Sequence, residues 1–560
     1  MWRTPLLVAV AALCARAETP DLLNILKQEL NRNFEVLREK GDPKPYYIAY
    51  AVTDAENAGV SASQGALSSM QEPRRRRTLD VTVRVGSPEL DNYRSIRGDF
   101  AQFTAGVSIA LEDNPNAIKL ALWRETDRCY RLAAQRLINI QTNKEVQVAE
   151  KEASNDFSPA EKQEFAGMPP PLAFDVDDWS KRARKLSGEF AKYPGVLASA
   201  IGVNGSREVK YFVNTEGTAL AHGQQFYRVT LSAQGKAQDG MDLATFDSFN
   251  AGHANRIPSD DDIRKGIEHV AGDLTKLLDA QVVEPFVGPA ILSGRAAGVF
   301  FHEIFGHRVE GHRLKDESDG QTFAKSVGTA VLPEFISVTF DPTRHEAAGE
   351  DLNGWYAFDD EGVKARPVHL VENGILKTFL MSRTPNPRVD HSNGHGRRQA
   401  GAEVVARQSN LLVEASRTVT ETRLKQMLLE EVRRQGKPYG FYFQEITGGF
   451  TNTSRRGIQA FKVIPLVVYR IYPDGKEEIV RGADIVGTPL ASFAKILAAG
   501  DKIEVFNGYC GAESGSVPVS AVSPAILVSE LEVQKKESSR NRPPLLPPPG
   551  KQSVSAEVAR

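Results

Sequence analysis

The sequence predicts an α+β protein, an N-terminal α/β domain followed by a β-rich, mainly antiparallel C-terminal domain. Three observations carry that reading. The chain has 560 residues, and single hydrophobic cores stop growing near about 250–300 residues. Helical and strand periodicities alternate through the first half, whereas strand-like runs and turn signals dominate after Gly288. With 25% charged and 41% hydrophobic residues, the composition is that of an ordinary globular protein.

The elements follow in order. Residues 1–17 read as a secretory signal peptide: Arg3, an apolar run from Leu6 to Leu13, and an Ala15-Arg16-Ala17 cleavage site. That implies an exported protein, periplasmic or secreted. Residues 21–40 place Leu22, Ile25, Leu26, Leu30, Phe34 and Leu37 on one helical face. Residues 46–53 and 79–85 read as strands, with Arg74-Arg75-Arg76-Arg77 as a solvated loop beside the second. A long helix is expected over 114–141, a Pro-rich linker over 154–178, strands over 196–250 and a helix over 260–280. This first domain spans 18–285.

The second domain spans 286–533. One helical segment, 295–314, is followed mainly by strands. Asn373-Gly374 and Asp474-Gly475 are hairpin signals, and 420–434 and 489–499 read as short helices. Residues 534–560, with five prolines among polar residues, read as a disordered tail. No segment is apolar over the ~20 residues that span a membrane. A net charge of -2 argues against a nucleic-acid binder. Three cysteines, Cys14, Cys129 and Cys510, are too few for a disulfide scaffold.

The chemistry concentrates in Phe301-His302-Glu303-Ile304-Phe305-Gly306-His307. This is H-E-x-x-x-H, one residue longer than the H-E-x-x-H of zinc peptidases. Five residues of α-helix turn about 500°, which leaves the two imidazoles about 140° apart. A π-bulge would bring them to one face, and Gly306 would ease it. A hydrolytic zinc site uses three protein ligands. His302 and His307 would be two, with Glu303 as general base. Two candidates stand for the third: His312, nearby, and Cys510, in the glycine-flanked Gly508-Tyr509-Cys510-Gly511. Tyr509 reads as a core aromatic. Glu310 reads equally well as a partner that orients His307 and as a solvated helix carboxylate. His391 and His395 read as surface-loop residues, and Cys129 as a packed small hydrophobe.

Several blocks in one order resemble the TldD/PmbA family of peptidases, in particular its metal-bearing TldD-like members. They are His302 to His307 with Glu310-Gly311, the stretch ending Ala406-Arg407-Gln408-Ser409-Asn410, the region 457–487, and Gly508-Tyr509-Cys510-Gly511 followed by Ser516-Val517-Pro518-Val519. The resemblance covers about 20–533 and is strongest after 290. It implies a zinc metallopeptidase acting on short peptides or unfolded protein, with His302, His307 and Cys510 as metal ligands and Glu303 as catalytic base. It also implies a homodimer, or a heterodimer with a related subunit that lacks the metal motif. A non-catalytic assembly subunit with a vestigial site is the alternative. The chain departs from the family at His312 and in its export-like N-terminus.

Overall fold

A computed structural model describes residues 21–95, 101–143, 154–315, 321–454, 461–487 and 493–536. Two large sheets organise the chain. The first has eight strands, four of them long: Pro45–Ser63, Ala66–Ser87, Ala198–Asn214 and Ala219–Lys236. These four are antiparallel neighbours, and Asp242–Ala251 closes one side against Ala219–Lys236. Alternation along a strand sends successive side chains to opposite faces. On one face Ile48, Tyr50 and Val52 pack under the helices Asp21–Lys40 and Pro115–Thr142. Val60 and Ala62, further along, pack under Val176–Ser187 and Asp260–Asp279. On the other face Tyr47 and Ala49 meet Phe157 and Phe358. The helices thus cover one side of this sheet, and the C-terminal half of the chain lies against the other.

The second sheet has twelve strands and is built around Gly515–Lys535. That strand pairs antiparallel with Phe286–Leu292, Ala483–Gly487 and Ile496–Ala512, and parallel with Asn410–Ala415. Both hairpin signals form turns: Asn373 and Gly374 take φ of 49° and 79°, and Gly475 takes 88°. The largest apolar cluster of the chain sits on this sheet and holds the helix Gly294–Ile304.

Three expectations change. Arg74 to Arg77 are not a loop but part of the strand Ala66–Ser87, where Arg75 and Arg77 both bond Asp54 on the neighbouring strand. A run of arginines reads as solvated only when no acid lies opposite it. The helix expected over 489–499 does not reach its expected end: Phe493 is helical, a turn follows and the strand Ile496–Ala512 begins, while 488–492 lie outside the described residues. The C-terminal strand runs to Lys535, and the Pro-rich stretch 537–560 lies outside the described residues, as do 1–20. No helix among the described residues is long and apolar enough to cross a membrane.

Candidate metal centre

The helix Gly294–Ile304 is apolar nearly all round, so it is a core helix. Ser293 caps its start, accepting from the Ala296 amide at 3.1 Å. Gly298 sets its closeness to the long central strand, since a Cβ there would lie 3.1 Å from the Ala521 Cβ. Regular helix stops at Ile304, and Gly306–Arg308 forms a 3-10 turn. The expected π-bulge is therefore absent. A helix end does the same geometric work, because the tighter turn re-aims the chain within one residue of His307. Arg308 Nη1 satisfies the freed helix carbonyls, donating to those of Glu303 and Ile304 at 3.0 and 3.1 Å. The imidazoles of His302 and His307 end with ring centres 5.1 Å apart.

Gly306 has another role than easing a bulge. A Cβ on it would fall 1.9 Å from Gln408 Oε1. The Gln408 amide fills the space where a side chain would be, and its Nε2 donates to the His302 carbonyl at 3.3 Å.

Cys510 arrives from the strand Ile496–Ala512, opposite Val517. Its Sγ lies 3.4 Å from His307 Nε2. One ligand atom from each of His302, His307 and Cys510 lies within 4.8 Å of the others. Two imidazole nitrogens and a sulfur suit a borderline-soft transition ion, not the hard oxygen-seeking Mg²⁺ or Ca²⁺. His312 is not part of the group; it bonds Glu513. His391 sits on the surface beside Asp390, whereas His395 is buried and meets Ser409 Oγ at 3.0 Å. Tyr509 is 57% exposed and so is no core aromatic. Cys129 is buried, as a packed hydrophobe should be.

The electrostatics match a ligand cluster. Burial opposes a charged Cys510, but His307 and His302 outweigh it and hold the thiol well below its usual range. Burial likewise opposes a charged His307, yet Cys510 and Glu310 hold that imidazole well above its usual range. Burial raises the Glu303 carboxyl, against the lowering pull of both histidines. Glu303 Oε2 stands 4.0 Å from His307 Nε2, and its stem packs against Gly449.

Behind these four residues lies a buried polar frame. Glu310 is fully buried, not solvated. Its Oε2 lies 3.3 Å from His307 Nδ1 and accepts from Arg313 at 2.7 Å. Although burial disfavours its charge, His307 and Arg313 lower its carboxyl to about 2. Arg407 approaches Glu310 Oε1 at 3.5 Å and donates to the Cys510 carbonyl at 2.5 Å and to Ser514 Oγ at 2.7 Å. Sequence reasoning missed Arg308, Arg407 and Gln408. The signal for the last two was the Ala406 to Asn410 block, in which four consecutive polar residues are all buried.

Residues 287–535 match the family described as PmbA/TldA metallopeptidase C-terminal domain. The chain is 30% identical over 230 residues to a metalloprotease of Methanocaldococcus jannaschii, covering 41% of this chain and 47% of that one. It is 25% identical over 248 residues to a zinc metalloprotease TldD homolog of Saccharolobus solfataricus, covering 44% and 51%. The chain thus spans about half the length of these curated relatives. Among solved structures, TldE from Thermococcus kodakarensis aligns with a TM-score of 0.56 at 15% identity, covering 90% of this chain and 100% of that one. At that identity the likeness speaks for the fold.

The expected signal peptide, and with it a secreted or periplasmic protein, is corrected. The archaeal and bacterial metalloproteases that the chain resembles give it no support. One arginine before a short apolar run is a pattern of low specificity.

Proposed function

Because this chain belongs to the TldD/PmbA family, we propose that it is a zinc-dependent peptidase hydrolysing short or unfolded peptides. The observation that carries the reading is the convergence of His302, His307 and Cys510 beside Glu303, from two segments some 200 residues apart. In this reading the imidazoles of His302 and His307 and the thiolate of Cys510 would hold the ion. A bound zinc would polarise the scissile carbonyl and acidify a water. Glu303 takes the proton of the attacking water and delivers it to the leaving amine. Its partly desolvated carboxyl suits that exchange, since burial moves it toward neutrality. Glu310 fixes the tautomer of His307 by holding Nδ1, which leaves Nε2 for the ion. The pairing of two chains, alike or related, belongs to the same proposal.

Metal analysis of the purified protein tests it, with one zinc per chain expected. Glu303→Gln should retain zinc and lose peptide hydrolysis by about 10²-fold or more. Cys510→Ser should lose zinc, whereas His312→Ala should keep it. A metal-free wild type after zinc loading, or a fully active Glu303→Gln, would sink the reading.

A further inference from the structure

On the other side of the hairpin that carries Cys510 lies a cavity of about 400 Å³. Its floor is the helix-free face of the first sheet, with Ala51, Phe212 and Phe226. Its roof is the back of the hairpin, with Tyr509 and its cross-strand partner Pro518. Tyr509 and Cys510 are consecutive in a strand, so they point to opposite sides. The cavity is therefore separate from the metal centre.

Five cations reach it, Arg76, Arg207, Lys210, Arg397 and Arg398, against the acids Glu208, Asp359 and Asp360. Several of these cations have partners. Lys210 meets Asp360 at 2.6 Å and Glu208 at 3.5 Å. Arg398 lies 3.5 Å from Asp80, and Arg207 donates to the carbonyl of Pro170 at 2.8 Å. Asp359 is held by backbone amides, accepting from those of Glu361, Val363 and Gly396 at 3.0, 2.9 and 2.9 Å.

Arg397 differs. It is 5% exposed, and among the described residues no carboxylate pairs with it. Its Nη1 donates to the carbonyls of Gln408 and Pro518 at 2.6 and 2.8 Å, and its guanidinium stands 4.7 Å over the Tyr356 ring. Those contacts fix the plane of the group. Nε and Nη2 donate to nothing among the described residues, and the residue lines the cavity. Asp360 and the Cys510 sulfur act on this guanidinium only at longer range. A buried guanidinium with no carboxylate in contact is costly, and that free edge presents two parallel N–H groups at the spacing of a carboxylate.

We propose that this cavity binds a carboxylate-bearing ligand with an apolar body, namely the C-terminal end of a short peptide, and that Arg397 takes the carboxylate. The choice of a peptide rests on the peptidase reading above; the anion site rests on Arg397 and the cavity alone. The volume and the walls of Phe226, Tyr509 and Pro518 exceed what a bare small anion would fill. The site also touches the catalytic frame. The Gln408 that receives Arg397 on its carbonyl donates its side chain to the His302 carbonyl. An occupied cavity braces the hairpin behind Cys510.

Calorimetric titration of N-acetyl-Ala-Ala into the full chain, stripped of metal with a chelator, tests this. Metal removal keeps the probe's carboxylate from binding an ion and removes hydrolysis. Saturable binding is expected, with the C-terminal amide of the same dipeptide and the Arg397→Lys variant each weaker by about tenfold. Equal binding of acid and amide overturns the proposal, as does wild-type affinity in Arg397→Lys. Acetate binding as tightly as the dipeptide overturns the apolar half. The acid-to-amide comparison needs no variant, so a misfolded Arg397→Lys leaves the test intact. A silent peptidase assay alongside normal dipeptide binding would refute the peptidase reading and leave the anion site standing.

Discussion

Gly306 is required by a neighbour and not by its own backbone. No positive φ is recorded there, and the Gln408 amide occupies the place of a side chain. Gly306→Ala should push that amide aside and weaken its bond to the His302 carbonyl. The expected cost is about 1–3 kcal/mol of stability, the range for overpacking a tight core, with weaker zinc retention; thermal melts and chelator competition measure both. Gly272, which has open space around it and no positive φ, serves as the control position. Glu310 is the second such residue. Glu310→Gln should leave Arg313 and Arg407 without their shared carboxylate and free the His307 ring. Metal affinity should fall by about 10- to 100-fold, read by competition with a chromophoric chelator; unchanged affinity would remove Glu310 from the ligand frame. The two kinds of residue differed in legibility. His302, Glu303, His307 and Cys510 carry chemistry in their identity, so a motif search reaches them. Gln408 and Arg308 act through carbonyls of the ligand helix, and nothing in a sequence announces which carbonyl a side chain will meet.

At the scale of elements, helices were legible where an apolar stripe ran beneath a capped start. The Asp260–Asp279 helix, capped by Ser259 with three acids behind it, is such a case. The ligand helix was legible as a helix but not in its length. Its apolar pattern continues past Ile304, while the 3-10 turn that ends it depends on the distant Gln408 and on bonds from Arg308 to helix carbonyls that an apolar pattern does not display. The arginine run failed for a related reason. Arg75 and Arg77 answer Asp54 across a strand pair whose register the sequence does not reveal. That pair makes a prediction about acid stability. Burial alone would raise the Asp54 carboxyl, but donation from Arg75 and Arg77 outweighs it and holds the group below its usual value. A depressed folded pKa means that the stabilisation is present above the unfolded value of about 4 and is lost as pH falls through the folded one. Asp54→Asn should therefore lower the melting temperature at neutral pH and flatten its decline below about pH 4. An identical acid limb in wild type and variant would show that the pair contributes nothing to acid stability.

At the scale of the molecule, the two sheets meet through polar contacts as well as apolar ones. Lys210 reaches Asp360, Arg228 reaches the Asn507 carbonyl at 3.1 Å, and Arg256 bonds Asp351. The most buried of these links is Arg383. Its guanidinium is fully buried and stands 3.9 Å over the Phe157 ring. It makes two bonds of 2.7 Å to Glu216, in the turn after the strand Ala198–Asn214, and two more to the Ser158 carbonyl. A segment of the C-terminal half is thus pinned to the N-terminal sheet by one side chain. The cavity and the Cys510 hairpin lie along the same junction, so its rigidity bears on the metal centre. Glu216→Gln should cost about 1.5 kcal/mol, the low end for a charged hydrogen bond because Glu216 is 31% exposed. Arg383→Met should cost more, since it also empties the stack on Phe157 and strands the Ser158 carbonyl. Calorimetry of the wild type should give one cooperative transition, and Arg383→Met should split it into two, one for each sheet. A single transition in both proteins, with additive costs in the double variant, would mean that the halves are held together by their apolar contact and that Arg383 merely satisfies itself within it.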